Sequence, residues 1–205
     1  MKIKCELKST MIGNTLEEKI LHYLYHNLLP KRNYHTLCVT ELAVKLARYY
    51  NENVYNIQTA ALLHDCAKEM SLNQMRKYIE KNNLKIPHYN FVVSVLPQVL
   101  HSYIGSDIAK KKFGIKNEII LNAIKHHTIG RVGMSNCEKI LFVADALSED
   151  RKYKNKYKYN KILFDGLDTI FKLVLYNKIN YVISNFKTLH PDIVSIWNYY
   201  NTDNL

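Results

Sequence analysis

The chain has 205 residues and a mass of 24.1 kDa, enough to bury one sizeable core, and its 47% hydrophobic and 23% charged content is ordinary for a soluble globular protein. Only six Gly and four Pro argue against a many-stranded, turn-rich fold and fit long helices with short connections. The formal charge of +11 admits an anionic partner, but Lys far outnumbers Arg in a chain rich in Asn, Ile and Tyr. That is the composition of an AT-rich coding sequence, so only Arg residues beside motifs count as evidence.

The N-terminus, MKIKCELKSTMIGN, lacks the continuous apolar run of a signal peptide, and residues 1–14 read as a tail. Thr15-Leu16-Glu17-Glu18 matches a capping box, which predicts a first helix to 27 or 28 ended by Pro30. A second helix is expected from about Tyr34, on the stripe Val39, Leu42, Ala43 and Leu46. A third carries Ile57, Ala60, Ala61 and His64. Ser71 is a candidate N-cap for a fourth helix, 71–82, followed by a loop around Ile86-Pro87. Helices are then expected over 99–113, stopped at Gly114, over 118–127, and over 134–147, with a loop at 128–133 between the last two.

The run RKYKNKYKYN at 151–160 is basic and aromatic, as in some single-strand binders, but a solvated loop is the better reading. Two helices are expected over 162–176 and from 181 onward, and a last one opens near His190-Pro191. No repeat or linker divides the chain, so residues 15–205 are expected to form one all-α domain. FVVSVLPQVL, the most apolar stretch, is short and broken by Pro97, so no membrane span is expected. Cys5, Cys38, Cys66 and Cys137 have no paired spacing, and Cys38 and Cys66 fall on core-facing positions. A reducing, cytoplasmic setting follows as the expectation.

Several polar residues interrupt the apolar stripes. His64 lies seven residues after Ile57 and four after Ala60, so it points inward; His127 stands likewise to Ile120 and Ile124. Asp145, four after Leu141, is at the edge of its apolar face, and His35 leads the stripe that contains Val39. One inward His is more often a satisfied core residue than a ligand. Four helices that each aim His or Asp inward need a further reason, because a buried carboxylate is costly and a shared cation removes that cost. His64 and Asp65 diverge by about 100° on a helix, yet both reach an ion that lies over it. Imidazole and carboxylate without thiolate favour Fe, Mn, Zn, Co or Ni, and two His with two Asp leave positions open for water and phosphoryl oxygen.

The ordered set His35, His64-Asp65 and Asp145 resembles the H…HD…D pattern of the HD-domain phosphohydrolase superfamily. HDCAK, LHSYIGS, HHTIGRVGMS, CEKILFVADA and the late LHP together resemble the YqeK family of symmetrical diadenosine-tetraphosphate hydrolases, from about residue 16 to 200. The resemblance implies a single HD-domain helical bundle, a divalent metal centre that prefers iron, cleavage of diadenosine tetraphosphate to two ADP, and a homodimer. Carried over by position, it implies that His35, His64, Asp65 and Asp145 hold the metal, with Asp65 and Lys68 in catalysis. It also implies that His101 and His127 face the phosphates or hold a second metal, and that Arg32 contacts the nucleotide. Arg151 remains in place after LSEDR, which departs from the family's acid-Pro pattern, and is placed with the substrate-binding groups.

These residue types suit phosphoanhydride hydrolysis in their own right. Lys68, expected one turn beyond His64, offers a point charge to a phosphate oxygen, and Arg32 and Arg131 offer planar forks. A neutral His101 or His127 could take a proton from water, and a protonated one could assist the leaving group. His126 fits its stripe less well than His127 and reads as surface or as backing for the ligands. His190 before Pro191 reads equally well as a family match or a structural cap, and His22, His26 and His88 have no evident partner. Three other readings stay open beside the dinucleoside polyphosphate: an HD hydrolase of a nucleoside monophosphate or cyclic dinucleotide, a nucleotide-sensing module without turnover, and a basic nucleic-acid binder. The last rests on charge and the basic-aromatic run alone, so neither nucleic acid nor membrane is an expected partner.

Overall fold

A computed structural model of the protein describes residues 15–151, 159 and 162–202. The expected tail, Cys5 and nearly all of the basic-aromatic run lie outside the described residues. Among the described residues there are ten α-helices, one short 3-10 turn and no strand. The helices are α1 (Leu16–Asn27), α2 (Pro30–Tyr49), α3 (Val54–Leu63), α4 (Leu72–Asn82), α5 (Tyr89–Val95), α6 (Leu100–Phe113), α7 (Glu118–His126), α8 (Asn136–Leu147), α9 (Leu167–Ser184) and α10 (Ile193–Asn201). No helix among them is long and apolar enough to cross a membrane.

Helix α8, NCEKILFVADAL, is the axis. Nine of its twelve residues are buried, which is the mark of a helix enclosed on all sides. Helices α2, α3, α7 and α9 pack around it, and α6 covers α7. Phe142 of α8 meets Phe171 of α9 with ring centroids 5.3 Å apart, and Phe171 meets Tyr200 of α10 at 4.7 Å. Capping boxes open α1 at Thr15, α4 at Ser71 and α8 at Ser135, each with the reciprocal Glu or Gln contact.

Four expectations need correction. Pro30 opens α2 as its first residue, where the missing N–H costs nothing, so His35 sits in the second turn rather than at the start. Helix α3 stops at Leu63, and His64 to Glu69 form a series of turns with i→i+3 bonds at Cys66, Lys68 and Met70. The expected loop near Pro87 ends in a short extra helix, α5. The two helices expected over 162–176 and from 181 are one, α9. All of its buried residues (Leu167, Ile170, Phe171, Val174 and Leu175) lie in its first half, and the polar residues Asn177, Lys178 and Asn180 between the two expected helices line a cavity.

Candidate metal centre

The turn after α3 sets the centre. Gly105 of α6 lets that turn approach: a Cβ there would lie 3.4 Å from Cys66 Sγ and 3.6 Å from the His64 carbonyl. His64 is wholly buried, and its Nδ1 donates to the Ala61 carbonyl at 2.6 Å. His127, just past α7, repeats the arrangement, with Nδ1 donating to the Ile124 carbonyl at 2.7 Å. His101, at the start of α6, donates from Nδ1 to the Gln98 carbonyl. His35 of α2 donates from Nδ1 to Asp150 Oδ2 at 2.8 Å, and its Nε2 accepts from Arg151 Nη2 at 3.2 Å. A neutral imidazole carries one N–H, so all four histidines present a bare Nε2 inward. Burial holds His64, down to about 4, and His101 and His127 below the ordinary 6.5, which keeps them neutral.

The bare nitrogens face two carboxylates. Asp65 Oδ1 lies 3.0 Å from His101 Nε2 and 3.6 Å from His127 Nε2, while its Oδ2 lies 3.6 Å from His64 Nε2. Asp145 Oδ1 is 3.2 Å from His35 Nε2. His101 Nε2 and His127 Nε2 are themselves 3.1 Å apart. Burial would raise both carboxyls, but both are held well below 3.8, Asp145 beside the Lys178 and Arg151 cations and Asp65 bonded to the Arg32 guanidinium. The lone pair of His64 Nε2 faces Asp65 Oδ2 with no proton between them and is repelled by it, and His64 Nε2 is buried with no hydrogen-bond partner. A cation resolves both problems. Two donor groups, His35–His64–Asp145 and His64–Asp65–His127, each have their ligand atoms within 4.8 Å of one another. An N/O donor set of this kind fits a divalent transition metal.

Positive groups surround the cluster. Arg32 Nη1 bonds Asp65 Oδ2 at 2.8 Å, and Arg151 Nη2 bonds Asp145 Oδ1 at 2.7 Å. Lys68 Nζ lies 3.2 Å from His101 Nε2 and 3.8 Å from Asp65 Oδ1. A cavity of about 1320 Å³ opens beside Asp145 and Arg151 and runs along the second half of α9 toward His190 and Ile193.

Nine of the ten residues singled out in the sequence thus meet in one cluster. Arg131 does not. It pairs through two nitrogens with Glu138, at 2.7 and 2.8 Å, because that carboxylate is buried and needs a cation. The structure adds two residues the sequence reading missed: Asp150, which orients His35, and Lys178 of α9, 3.9 Å from Asp145 Oδ2. Asp150 stands five after Asp145 in the same segment, but only the fold shows that it faces His35. His126 is half-buried behind His127, and burial pushes its imidazole down to about 4. His190 Nδ1 accepts from the Asp192 N–H at 3.2 Å, and His88 pairs with Asp192 at 2.8 Å.

An all-α bundle that gathers His, His-Asp and Asp from successive helices defines a class, and the HD domain family profile matches residues 32–150. The chain belongs to the HD domain family. It is 29% identical over 180 residues to a symmetrical bis(5'-nucleosyl)-tetraphosphatase of Halalkalibacterium halodurans, covering 88% of this chain and 94% of that one. A Staphylococcus aureus protein of the same name is 29% identical over 84% of this chain and 89% of its own. The crystal structure of a predicted HD superfamily hydrolase involved in NAD metabolism from Clostridium acetobutylicum superposes with a TM-score of 0.85 at 32% identity, covering 94% of this chain and 100% of that one.

Proposed function

We propose that the protein is a metal-dependent phosphohydrolase that cuts diadenosine tetraphosphate at its central phosphoanhydride to give two ADP. The observation that carries this reading is the set of bare Nε2 atoms and carboxylates that converge beside an open, cation-flanked cavity. Relatives matched over most of their length bear the corresponding name. His35, His64, Asp65 and Asp145 are assigned as metal ligands, and His127 completes the second donor group with His64 and Asp65. Iron is the metal expected from the resemblance, with Mn, Co, Ni and Zn compatible with the same donors.

A bound divalent ion supplies Lewis-acid polarisation of a phosphoryl oxygen and acidifies water. The chain's own residues provide the rest. Lys68 and Arg151 hold phosphate oxygens, and Arg32 fixes the Asp65 carboxylate. Water oxygen bonds to one of the two central phosphorus atoms as the bridging P–O bond breaks, and the departing ADP keeps the bridging oxygen. His101 Nε2, bare and beside Lys68, is the acceptor placed for the water proton.

An anaerobic assay of the iron-loaded protein with diadenosine tetraphosphate, with products separated by ion exchange, tests this. ADP as sole product is expected. AMP with ATP would move the attack to another phosphorus, and no turnover with metal bound would overturn the substrate assignment in favour of another nucleotide or a sensing role.

A further inference from the structure

Lysines approach the centre from both ends. Lys68 stands at the Asp65 end, beside His101. Lys178 stands at the Asp145 end: its ammonium is 3.9 Å from Asp145 Oδ2, 3.8 Å from the centroid of the Phe142 ring and 3.4 Å from the His127 carbonyl. It lines the large cavity with Asp145 and Arg151, and 28% of its side chain is exposed. Around the centre, Arg32, Lys68, Arg151 and Lys178 balance Asp65, Asp145, Asp150 and Glu69 one for one. A divalent ion bound against these carboxylates therefore leaves the centre positive by its full charge. An ammonium a few ångströms from such an ion is repelled by it. An anion that lies between them removes the repulsion.

We propose that Lys178 and Lys68 straddle the scissile bond: Lys178, with Arg151, holds the phosphoryl oxygens of one half of the tetraphosphate, and Lys68 holds those of the other. This rests on the proposed hydrolysis of diadenosine tetraphosphate. A substrate symmetric about its central bond presents equivalent oxygens on both sides of the cut. Cations at both ends of the cluster hold that bond in the middle, whereas a grip on one side would let the chain slide by one phosphate. Lys178 is then a register-setting residue, supplied by the part of α9 that interrupts its apolar stripe.

The test compares Lys178→Met with Lys178→Arg in the metal-loaded protein. Met fills nearly the same volume with an apolar end over the Phe142 ring, so metal content and unfolding temperature should stay close to the parent. For Lys178→Met the KM for diadenosine tetraphosphate should rise about tenfold or more, the scale of one lost charge-assisted phosphate contact. AMP and ATP should appear beside ADP, and Lys178→Arg should restore ADP alone. A folded, metal-loaded Lys178→Met with parental KM and ADP as sole product would overturn the proposal and leave Lys178 a packing residue. If Lys178→Met does not fold, Lys178→Gln is judged by the same readouts. If the parent protein itself turns over nothing, the reaction reading has failed, and calorimetry with inorganic tripolyphosphate then decides the lysine's role. Weaker binding by Lys178→Met would sustain the grip, and equal affinity would refute it.

Discussion

Arg131 offers the sharpest separation of a sequence expectation from a structural one. The sequence suggests a fork for phosphate, but the fold commits that fork to Glu138, which is 1% exposed. In Arg131→Leu the carboxylate keeps the Ser135 N–H at 2.8 Å and the Ser135 hydroxyl at 2.9 Å, and loses both guanidinium bonds. Breaking a fully buried ion pair costs about 3–5 kcal/mol. The Arg131 side chain is 37% exposed and Ser135 remains as a donor, so about 2–3 kcal/mol is the fitting value here. For a chain of this size that corresponds to a fall of roughly 4–12 °C in Tm. Thermal unfolding gives the first number, and hydrolysis well below the transition should show KM within about twofold of the parent, since the contact lies outside the cluster. An Arg131→Leu protein of unchanged Tm and a KM raised tenfold would refute the assignment and return Arg131 to the substrate.

Asp150→Ala removes the acceptor that fixes the His35 tautomer, and metal affinity measured by chelator competition should fall about 10- to 100-fold with helical content retained. Parental affinity would show that Asp150 does not orient a ligand. Gly105→Val places two methyl groups where one Cβ already meets Cys66 and Ile124 at 3.4 Å, so urea unfolding should report a loss of about 1–3 kcal/mol; an unchanged midpoint would mean that α6 can move off the turn. Burial, reinforced by the charges of Glu138 and Glu52, pushes the Cys137 thiol from 9.0 up to about 12. The folded state therefore holds that proton longer than the unfolded one. Its stabilising contribution is complete below pH 9 and is lost as pH rises toward 12. Cys137→Ala should flatten the alkaline fall in urea midpoint between those limits, and an identical slope in both proteins would count against the buried thiol.

Much of this was legible because the signals were local. The capping box at Thr15 and the N-cap at Ser71 mark helix starts through contacts three residues apart, and the inward histidines follow from spacing within single helices. What stayed hidden depends on contacts that spacing within a single helix does not report. The partner of Arg131 is a residue seven ahead, across a loop whose path no periodicity reports. Lys178 falls between the two helices expected from sequence, and only the cavity beside the continuous α9 shows where it lies. Asp150 meets a histidine 115 residues away.

The turn at His64 departs from the expected helix for a related reason, and the departure matters chemically. Continuation of α3 through Asp65 would engage its last carbonyls in backbone bonds. Because the helix ends at Leu63, the carbonyl of Ala61 in its last turn is free to take the His64 Nδ1 proton, and at the end of α7 the carbonyl of Ile124 takes that of His127 in the same way. One interaction thus satisfies a terminal carbonyl, selects the tautomer and turns the Nε2 lone pair inward. It also brings the negative ends of two helix dipoles toward the same point, which favours a cation there. The helix stop is therefore part of the proposed metal site, and lengthening α3 by one turn would dismantle it even with every proposed ligand residue retained.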